Sequence, residues 1–296
     1  MLSIADKVFN EKQEFVAKSI RGMQKDVQGL QHKLTELILS EYAPLFEVEK
    51  GILLDSPANY NLLGKMDKVF NTFQANFQND VLSSYANNVA KTAVMNGNYY
   101  TAMGFQESVI KGIAKNKFNL QEKLGITPKG FLKKDGYLYQ LGQTPEVRSQ
   151  LRNYVVQNIA NQTPYNQYLK GFENLINGST GTNGALEKYY DQYAYDTFNQ
   201  VDASVNKQYA ENLDLHHFLY AGSIIETSRD FCIKRAGKVF TTDETKDWKN
   251  DSTLPVSKNW PKETYKPLIE RGRWRCRHFI KYISLELYNQ LKANQQ

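Results

Sequence analysis

The chain has 296 residues, of which 41% are hydrophobic and 23% are charged, and its mean hydropathy is −0.58. Such a chain has a polar surface and enough residues for one large domain or two smaller ones. No apolar run approaches the roughly 20 residues that span a bilayer, so no membrane association is expected. The amphipathic, acid-containing N-terminus, MLSIADKVFNEKQEF, differs from signal and transit peptides, which favours folding in a cytoplasm.

The net charge of +6 is concentrated in the C-terminal quarter of the chain. From Arg229 onward there are fifteen Lys and Arg against eight Asp and Glu, a net of +7, so the preceding residues sum to about −1. A localised excess of cations is the pattern that favours a polyanionic partner.

A first long helix is predicted over residues 4–43, where apolar residues recur at alternating spacings of four and three. This spacing is a heptad seam. The seam consists of Val16, Ile20, Met23, Val27, Leu30, Leu34 and Leu37. It predicts packing against another helix of the same chain, with a neighbouring subunit as the alternative.

The sequence SPAN at 56–59 predicts the N-cap of a second long helix. A break is expected at GNYYTAMG, residues 97–104, followed by a shorter helix that ends near Lys117. Residues 125–143 carry four glycines among alternating apolar residues, which indicates a loop or a small hairpin.

Helical patterns resume at 144–161 and 163–176, and the composition of residues 177–184, NGSTGTNG, predicts a flexible surface loop. A third long helix is predicted from Ala185 to Asn212.

After Leu213 short strand-like and helical segments replace the long helices. LHHFLYAGSII and KVFT favour strands, SRDFCIKRAG indicates a short helix ended by Gly237, and TDETKDW opens another helix with acids in its first turn. The predicted fold class is therefore mainly α. A long-helix body at 1–213 precedes a small α+β module at 214–296.

The segment RGRWRCRHFIKYIS, residues 271–284, has an arginine at every second position in its first half. In an extended strand, alternate side chains point to opposite faces, so the four guanidinium groups would share one face. Such a row suits phosphates or a carboxylate-rich partner, and the structural alternative is an edge strand whose charges repel other strands. The predicted DNA or partner contacts are Arg271, Arg273, Arg275 and Arg277.

The two cysteines, Cys232 and Cys276, both lie in the basic quarter and are expected to be close in space. In a reducing cytoplasm the default is a pair of packed free thiols, so no cofactor is predicted. One alternative is a zinc site formed by Cys232, Cys276 and His278, with Asp230 as a fourth candidate ligand. The other is a disulfide formed after release from the cell. A Cys-x-x-Cys knuckle is absent, because Arg229 precedes Cys232 by three residues.

The sequence contains no nucleophile elbow, no phosphate-binding glycine loop and no His-Glu-x-x-His motif. His216 and His217 are adjacent, and at the start of a strand their rings would point to opposite faces. We therefore predict that the protein is not an enzyme.

Two segments, YAGSIIETSRDFCIKRAGKVFTTDETKDW and GRWRCRHFIKYIS, together resemble the phage minor head protein family, the head morphogenesis family of the Mu F type. Its motif couples an Arg-x-x-Cys segment and a following Gly-Lys-Val-Phe to a late Cys-Arg-His or Cys-Arg-Cys. The matching positions are Arg229, Asp230, Cys232, Gly237, Lys238, Val239, Phe240, Cys276, Arg277 and His278. Some members carry a cysteine at the position of Arg229 and are similar to zinc binders.

The resemblance implies a structural minor capsid protein inside the phage head. Such proteins associate with the portal and assist head assembly and the packaging or ejection of DNA. The implied partners are the portal protein, genomic DNA bound without sequence preference and, as a further candidate, the major capsid protein. Several copies per virion and assembly in the host cytoplasm are also implied. The alternatives are an ejected or host-directed DNA-binding protein and a nuclease-type toxin.

Overall fold

The computed structural model of the protein describes residues 3–117, 125, 133, 145–258 and 260–295. The predicted fold class is confirmed. Long helices dominate up to Asn212, and a small antiparallel sheet lies in the C-terminal part. None of the described helices is both long enough and apolar enough to cross a membrane. Most of the segment 125–143, predicted as a loop or hairpin, lies outside the described residues.

Ten α-helices lie within the described ranges. They are α1 (Ile4–Leu37), α2 (Pro57–Asn76), α3 (Ser83–Ala102), α4 (Glu107–Lys117), α5 (Pro145–Ala160), α6 (Tyr165–Asn177), α7 (Ala185–Asn212), α8 (Asp230–Ile233), α9 (Pro267–Glu270) and α10 (Leu285–Ala293). A π-helical turn at Ile38–Tyr42 continues α1, and another at Phe77–Leu82 joins α2 to α3. Short 3-10 helices lie at Ala43–Leu45, Asp243–Asn250 and Lys262–Thr264.

The strands pair in antiparallel fashion throughout the described residues. They are β1 (Val48–Glu49), β2 (Ile52–Leu53), β3 (Gly178–Ser179), β4 (Thr182–Asn183), β5 (His217–Ala221), β6 (Val239–Thr241) and β7 (Phe279–Ile283). The first two pairs are two-residue hairpins, and the second of them occupies the predicted loop at 177–184. The last three strands form a sheet in the order β6-β5-β7.

The heptad seam of α1 is buried by this one chain, as predicted. Five of its seven residues are fully buried, and Leu30 and Leu37 are half-buried. The N-cap predicted before α2 is also confirmed, because the Ser56 hydroxyl accepts a hydrogen bond of 3.3 Å from the Asn59 N–H.

The break expected at 97–104 is wrong over its first six residues, because α3 continues to Ala102. Gly97 lies where α3 approaches α7, and an added Cβ would sit 3.0 Å from the Tyr209 hydroxyl. This glycine therefore permits close packing between helices rather than ending one. The chain turns only after Ala102, where Gly104 has a φ of +98° that favours glycine.

The chain divides into two compact units, and the predicted boundary at 213/214 does not coincide with their division. One unit consists of Ala17–Asn88 and Leu120–Ala194, and the other of Met1–Val16, Val89–Asn119 and Tyr195–Gln296. The second half of α7 thus belongs to the same unit as the C-terminal sheet. In the first unit, Arg148 and Arg152 of α5 both pair with Asp67 of α2, at 3.0 and 2.8 Å.

The sheet of the second unit has a buried aromatic face. Phe218 and Tyr220 of β5 are buried, with Phe218 opposite Phe240 on β6 and Tyr282 on β7. Trp248 packs edge-on against Phe218 and Tyr220. This alternation along HFLYA is the period of two expected for a strand with one buried face.

The outer strand β7 is covered by helix side chains of the same unit. The Tyr99 hydroxyl donates to the Tyr282 carbonyl at 2.5 Å, and the Asn206 amide donates to the Ile280 carbonyl at 2.7 Å. An edge strand whose carbonyls are paired in this way is protected from pairing with another chain.

A buried ion pair joins the helices of this unit. The Lys12 ammonium lies 3.1 Å from Asp202 and donates to the Asn96 side-chain oxygen at 2.8 Å. Asn96 in turn donates to Asp202 at 2.8 Å. Burial lowers the pKa of Lys12, although the nearby Asp202 carboxylate opposes this shift.

Candidate functional site

The sheet unit brings the Cys232 side chain next to those of Cys276 and His278, which follow it by more than forty residues in the sequence. Cys232 lies on the short helix α8, whereas Cys276 and His278 lie in the turn that leads into β7. The two sulfurs are 3.7 Å apart, and the Cys276 sulfur lies 3.9 Å from Nδ1 of His278. The predicted proximity of the cysteines is therefore confirmed, and all three residues are buried.

Tyr220 completes this group, although no sequence motif pointed to it. Its hydroxyl lies 3.5 Å from the Cys232 sulfur and 3.7 Å from the Cys276 sulfur. Its ring stacks on His278 at a centroid distance of 5.1 Å. The available signal was the alternation of HFLYA, which places Tyr220 on the inner face of β5. We refer to Tyr220, Cys232, Cys276 and His278 as the thiol cluster.

Glycine is required on both sides of the thiol cluster. A Cβ on Gly272 would lie 2.3 Å from the Cys232 sulfur, and the Gly272 N–H instead donates to the Cys276 sulfur at 3.4 Å. A Cβ on Gly222 would lie 3.0 Å from the His278 ring, and Gly222 also has a φ of +133°.

The two thiols are electrostatically unequal. The hydrogen bond from Cys232 lowers the pKa of Cys276 well below its ordinary value, against the opposing effect of burial. The same bond, together with burial, raises the pKa of Cys232.

The thiol cluster fits part of a zinc site. Tetrahedral zinc with Zn–S bonds near 2.3 Å places two sulfur ligands roughly 3.8 Å apart, which matches the observed 3.7 Å. No described His, Cys, Asp or Glu supplies a fourth ligand, since Asp230 is exposed and lies outside the group. The Nε2 atom of His278 is buried without a partner, whereas zinc-bound histidines usually donate from the second nitrogen.

Arg229 occupies the position at which a fourth ligand would be expected, and it makes a different link. Its guanidinium donates to the carbonyls of Gly272 and Trp274, at 3.2 and 2.8 Å, and lies over the Trp274 ring at 5.0 Å. The segment before Cys232 is thereby hydrogen-bonded to the segment before Cys276. The planar fork of arginine suits this paired contact.

The predicted arginine row is wrong in its geometry. Residues 271–275 form turns and 276–278 have no regular secondary structure, and Arg271, Arg273 and Arg275 have positive φ values of 52°, 65° and 53°. Alternate side chains therefore do not share a face. Arginines at every second position share one face only where the backbone is extended. Here the chain turns beside the thiol cluster instead.

Two of the four arginines are buried, each only 3% exposed. Arg273 donates to the carbonyls of Trp260 and, at 2.8 Å, Pro261. Arg271 donates to the Asn199 carbonyl at 3.5 Å. These two guanidinium groups hold backbone together and do not face solvent.

The other two arginines, Arg275 and Arg277, are exposed. The backbone N–H of Arg275 donates to the Asp196 carboxylate at 2.7 Å, which fixes this turn against α7. The predicted contact with DNA or a protein partner is therefore sterically accessible at these two positions.

The remaining motif residues connect the cluster to the sheet. Gly237 has a φ of +75° and its N–H donates to the Tyr220 carbonyl at 2.9 Å, which carries the chain from α8 into β6. The Lys238 carbonyl accepts from the Tyr220 N–H at 2.9 Å, and Phe240 packs on Trp248. The Lys238 side chain is exposed.

Comparison with protein-family models, curated proteins and solved structures finds no match to this chain. The resemblance to phage minor head proteins therefore stays a prediction that depends on the motif residues.

Proposed function

We propose that the protein is a structural minor capsid protein of a phage head. In this proposal it lies inside the head near the portal, binds the portal protein and assists head assembly and the packaging or ejection of DNA. The major capsid protein is a further candidate partner, and no catalytic step is assigned to the chain.

The observation that supports the proposal most is the convergence of the motif residues. The Arg229–Cys232 segment and the Cys276–His278 segment are separated by more than forty residues, yet they meet in one buried cluster. Gly237 and Phe240 connect the same cluster to the sheet. Residues of a true family motif are expected to lie together in one folded unit, and the motif residues of this chain do so.

This proposal includes fewer arginines in the contact with DNA or a partner than the sequence predicted. Arg275 and Arg277 are the exposed candidates for DNA or partner contact, because Arg271 and Arg273 are buried. Exposed cations contact phosphates without reading base sequence, so the proposed DNA contact is independent of sequence.

No cofactor is part of this proposal, since the described residues supply only three of the four ligands of a structural zinc site. Elemental analysis of protein purified without added metal tests this point. We expect zinc well below one equivalent per chain. A full equivalent that is lost in a His278→Ala variant would instead make the cluster a metal site.

Co-purification tests the proposed portal contact. The full chain is co-expressed with the portal protein from the same genome, and portal rings are isolated by an affinity tag at moderate salt. We expect the chain to remain with the rings as salt rises, because the contact is proposed to be largely apolar. A truncation at 213 is unsuitable, because it would cut through a compact unit. Rings isolated without this chain would count against the proposal.

A further inference from the structure

The two sulfurs of the thiol cluster are in contact but not bonded. They are 3.7 Å apart, so a disulfide of about 2.05 Å requires them to approach by roughly 1.7 Å. Cys232 and Cys276 are the only cysteines in the sequence, so neither has a competing partner within the chain. Both are carried by short elements, a one-turn helix and a turn, rather than by long helices.

The segment that carries Cys276 places no side chain beside the two sulfurs at Gly272. Gly272 passes beside both sulfurs without a side chain, and a Cβ there would lie 2.3 Å from the Cys232 sulfur. The Arg229 guanidinium already joins the two segments through the Gly272 and Trp274 carbonyls. The segments are thus held together before any covalent link forms.

We propose that Cys232 and Cys276 are a reversible redox pair, a dithiol in the reducing cytoplasm and a disulfide after exposure to a peroxide. This inference goes beyond the proposed head function and does not depend on it. It concerns the second compact unit alone.

The oxidation takes place in two steps. One cysteine of the pair, as its thiolate, attacks one oxygen of hydrogen peroxide, the O–O bond breaks, and a sulfenic acid forms while the departing hydroxide takes up a proton. The thiol of the other cysteine then attacks the sulfenic sulfur, an S–S bond forms, and the S–O bond breaks to release water. Overall, two thiols lose two electrons and one peroxide becomes two waters.

The disulfide would close a loop of more than forty residues and restrict the unfolded chain. A link of this length is expected to raise Tm by about 5–10 °C. Zinc and the disulfide exclude each other, since both use the same two sulfurs.

The test uses the full chain, reduced, freed of reductant and kept in a chelator. Hydrogen peroxide is the probe, because its small size suits buried sulfurs. Intact mass, thiol titration under denaturing conditions and peptide mapping then report the product. We expect the loss of both thiols and two hydrogens, a cross-link between the Cys232 and Cys276 peptides within one chain, recovery on reduction and a higher Tm.

Three results would overturn the proposal: thiols that persist in the native protein, sulfinic acids instead of a cross-link, or a disulfide between chains. An unchanged or lower Tm would show that the disulfide does not stabilise the fold.

The variants Cys232→Ser and Cys276→Ser are matched controls. Each retains one thiol and has no second cysteine to resolve a sulfenic acid, so the variant that keeps the peroxide-reactive cysteine should accumulate a sulfenic acid that a dimedone probe traps. If these variants do not fold, the cross-linked peptide from the wild-type chain still decides the question.

Discussion

At the scale of single residues, the turn over the thiol cluster depends on the absence of a side chain at Gly272. A methyl group at this position would lie 2.3 Å from the Cys232 sulfur and 3.3 Å from the Cys276 sulfur. Both sulfurs are buried, so relief of this overlap requires the turn or α8 to shift.

We expect Gly272→Ala to lower the free energy of unfolding by about 1–3 kcal/mol, the usual effect of overpacking a filled core. Chemical denaturation followed by circular dichroism measures the change. Gly112→Ala is the matched control, because nothing lies within 4 Å of a Cβ in the middle of α4. That control should be neutral or stabilising by up to about 1 kcal/mol. Equal effects of the two substitutions would contradict the proposed packing.

Asp251 links the segment after the 3-10 helix Asp243–Asn250 to Arg235. Burial raises the pKa of Asp251, but hydrogen bonds from Thr253 and Arg235 outweigh it and hold the pKa well below the ordinary value. The Arg235 guanidinium lies 2.7 Å from the carboxylate. A carboxyl group whose pKa is depressed by folding stabilises the protein above its unfolded-state pKa, near 4, and loses that effect as pH falls further.

We therefore expect Asp251→Asn to lower stability at neutral pH by about 1–3 kcal/mol, the range for hydrogen bonds to charged groups. The loss should shrink progressively as pH falls below about 4, because the carboxyl group of the unfolded chain then binds a proton while the depressed pKa keeps the folded-state carboxyl ionised. Denaturation midpoints across pH 2–7 measure this dependence. Asp243→Asn is the control, because the exposed Asp243–Lys246 pair is screened by water. A difference between wild type and Asp251→Asn that does not vary with pH would contradict the assignment.

At the scale of secondary-structure elements, the Lys12–Asp202 pair connects α1 to α7 in a buried setting. Both side chains are at most 4% exposed, and Asn96 of α3 bonds to each of them. A buried pair does not by itself imply net stability, but breaking it leaves an uncompensated charge.

We expect Lys12→Met to cost about 3–5 kcal/mol, because the Asp202 carboxylate would remain buried with only Asn96 as a donor. The double variant Lys12→Met with Asp202→Asn should recover part of this loss, since it leaves no buried charge. Lys7→Met on the exposed side of α1 is the control and should stay within about 0.5 kcal/mol. A double-mutant cycle with additive losses would show that the two residues do not interact.

The elements that sequence reasoning predicted well are those whose pattern coincides with their packing. The α1 seam and the Ser56 cap follow from spacing and side-chain chemistry. The extension of α3 through Gly97 was not predicted. In the sequence, a glycine that allows two helices to pack closely looks the same as a glycine that ends a helix. The turns at 271–275 were also not predicted. Alternating arginines indicate a strand, whereas the backbone has positive φ values at three of these arginines.

Only part of the thiol cluster could be predicted from the sequence. Cys232, Cys276 and His278 are conspicuous residue types, and their convergence was expected. Tyr220 and Gly272 gained their roles only from tertiary contacts, namely a hydroxyl beside two sulfurs and a backbone that passes beside them.

At the scale of the whole molecule, the net charge of +6 includes cations that are buried and unavailable to a polyanion. Of the four arginines, Arg275 and Arg277 reach solvent, and Lys234 and Lys238 are also exposed near Cys232 in the sequence. A contact with DNA through the two arginines alone involves few phosphates.

We expect the full chain to bind duplex DNA without sequence preference, with affinity that falls as salt rises. In Arg275→Ala/Arg277→Ala, the log–log slope should decrease in magnitude by about 0.9 for each lost phosphate contact. Titration at several salt concentrations measures the slope. The variant Lys7→Ala/Lys115→Ala removes the same charge elsewhere on the second compact unit and should retain the slope. An unchanged slope in the arginine variant would assign these residues to protein contacts instead.

The central proposal is that this chain is a structural component of a phage head at the portal. A density map of intact virions of the phage that encodes it, with the portal vertex resolved, tests this claim most directly. We expect several copies inside the head beside the portal, with density that fits the β6-β5-β7 sheet and its surrounding helices. Virions whose portal vertex is resolved but contains no such density would contradict the claim.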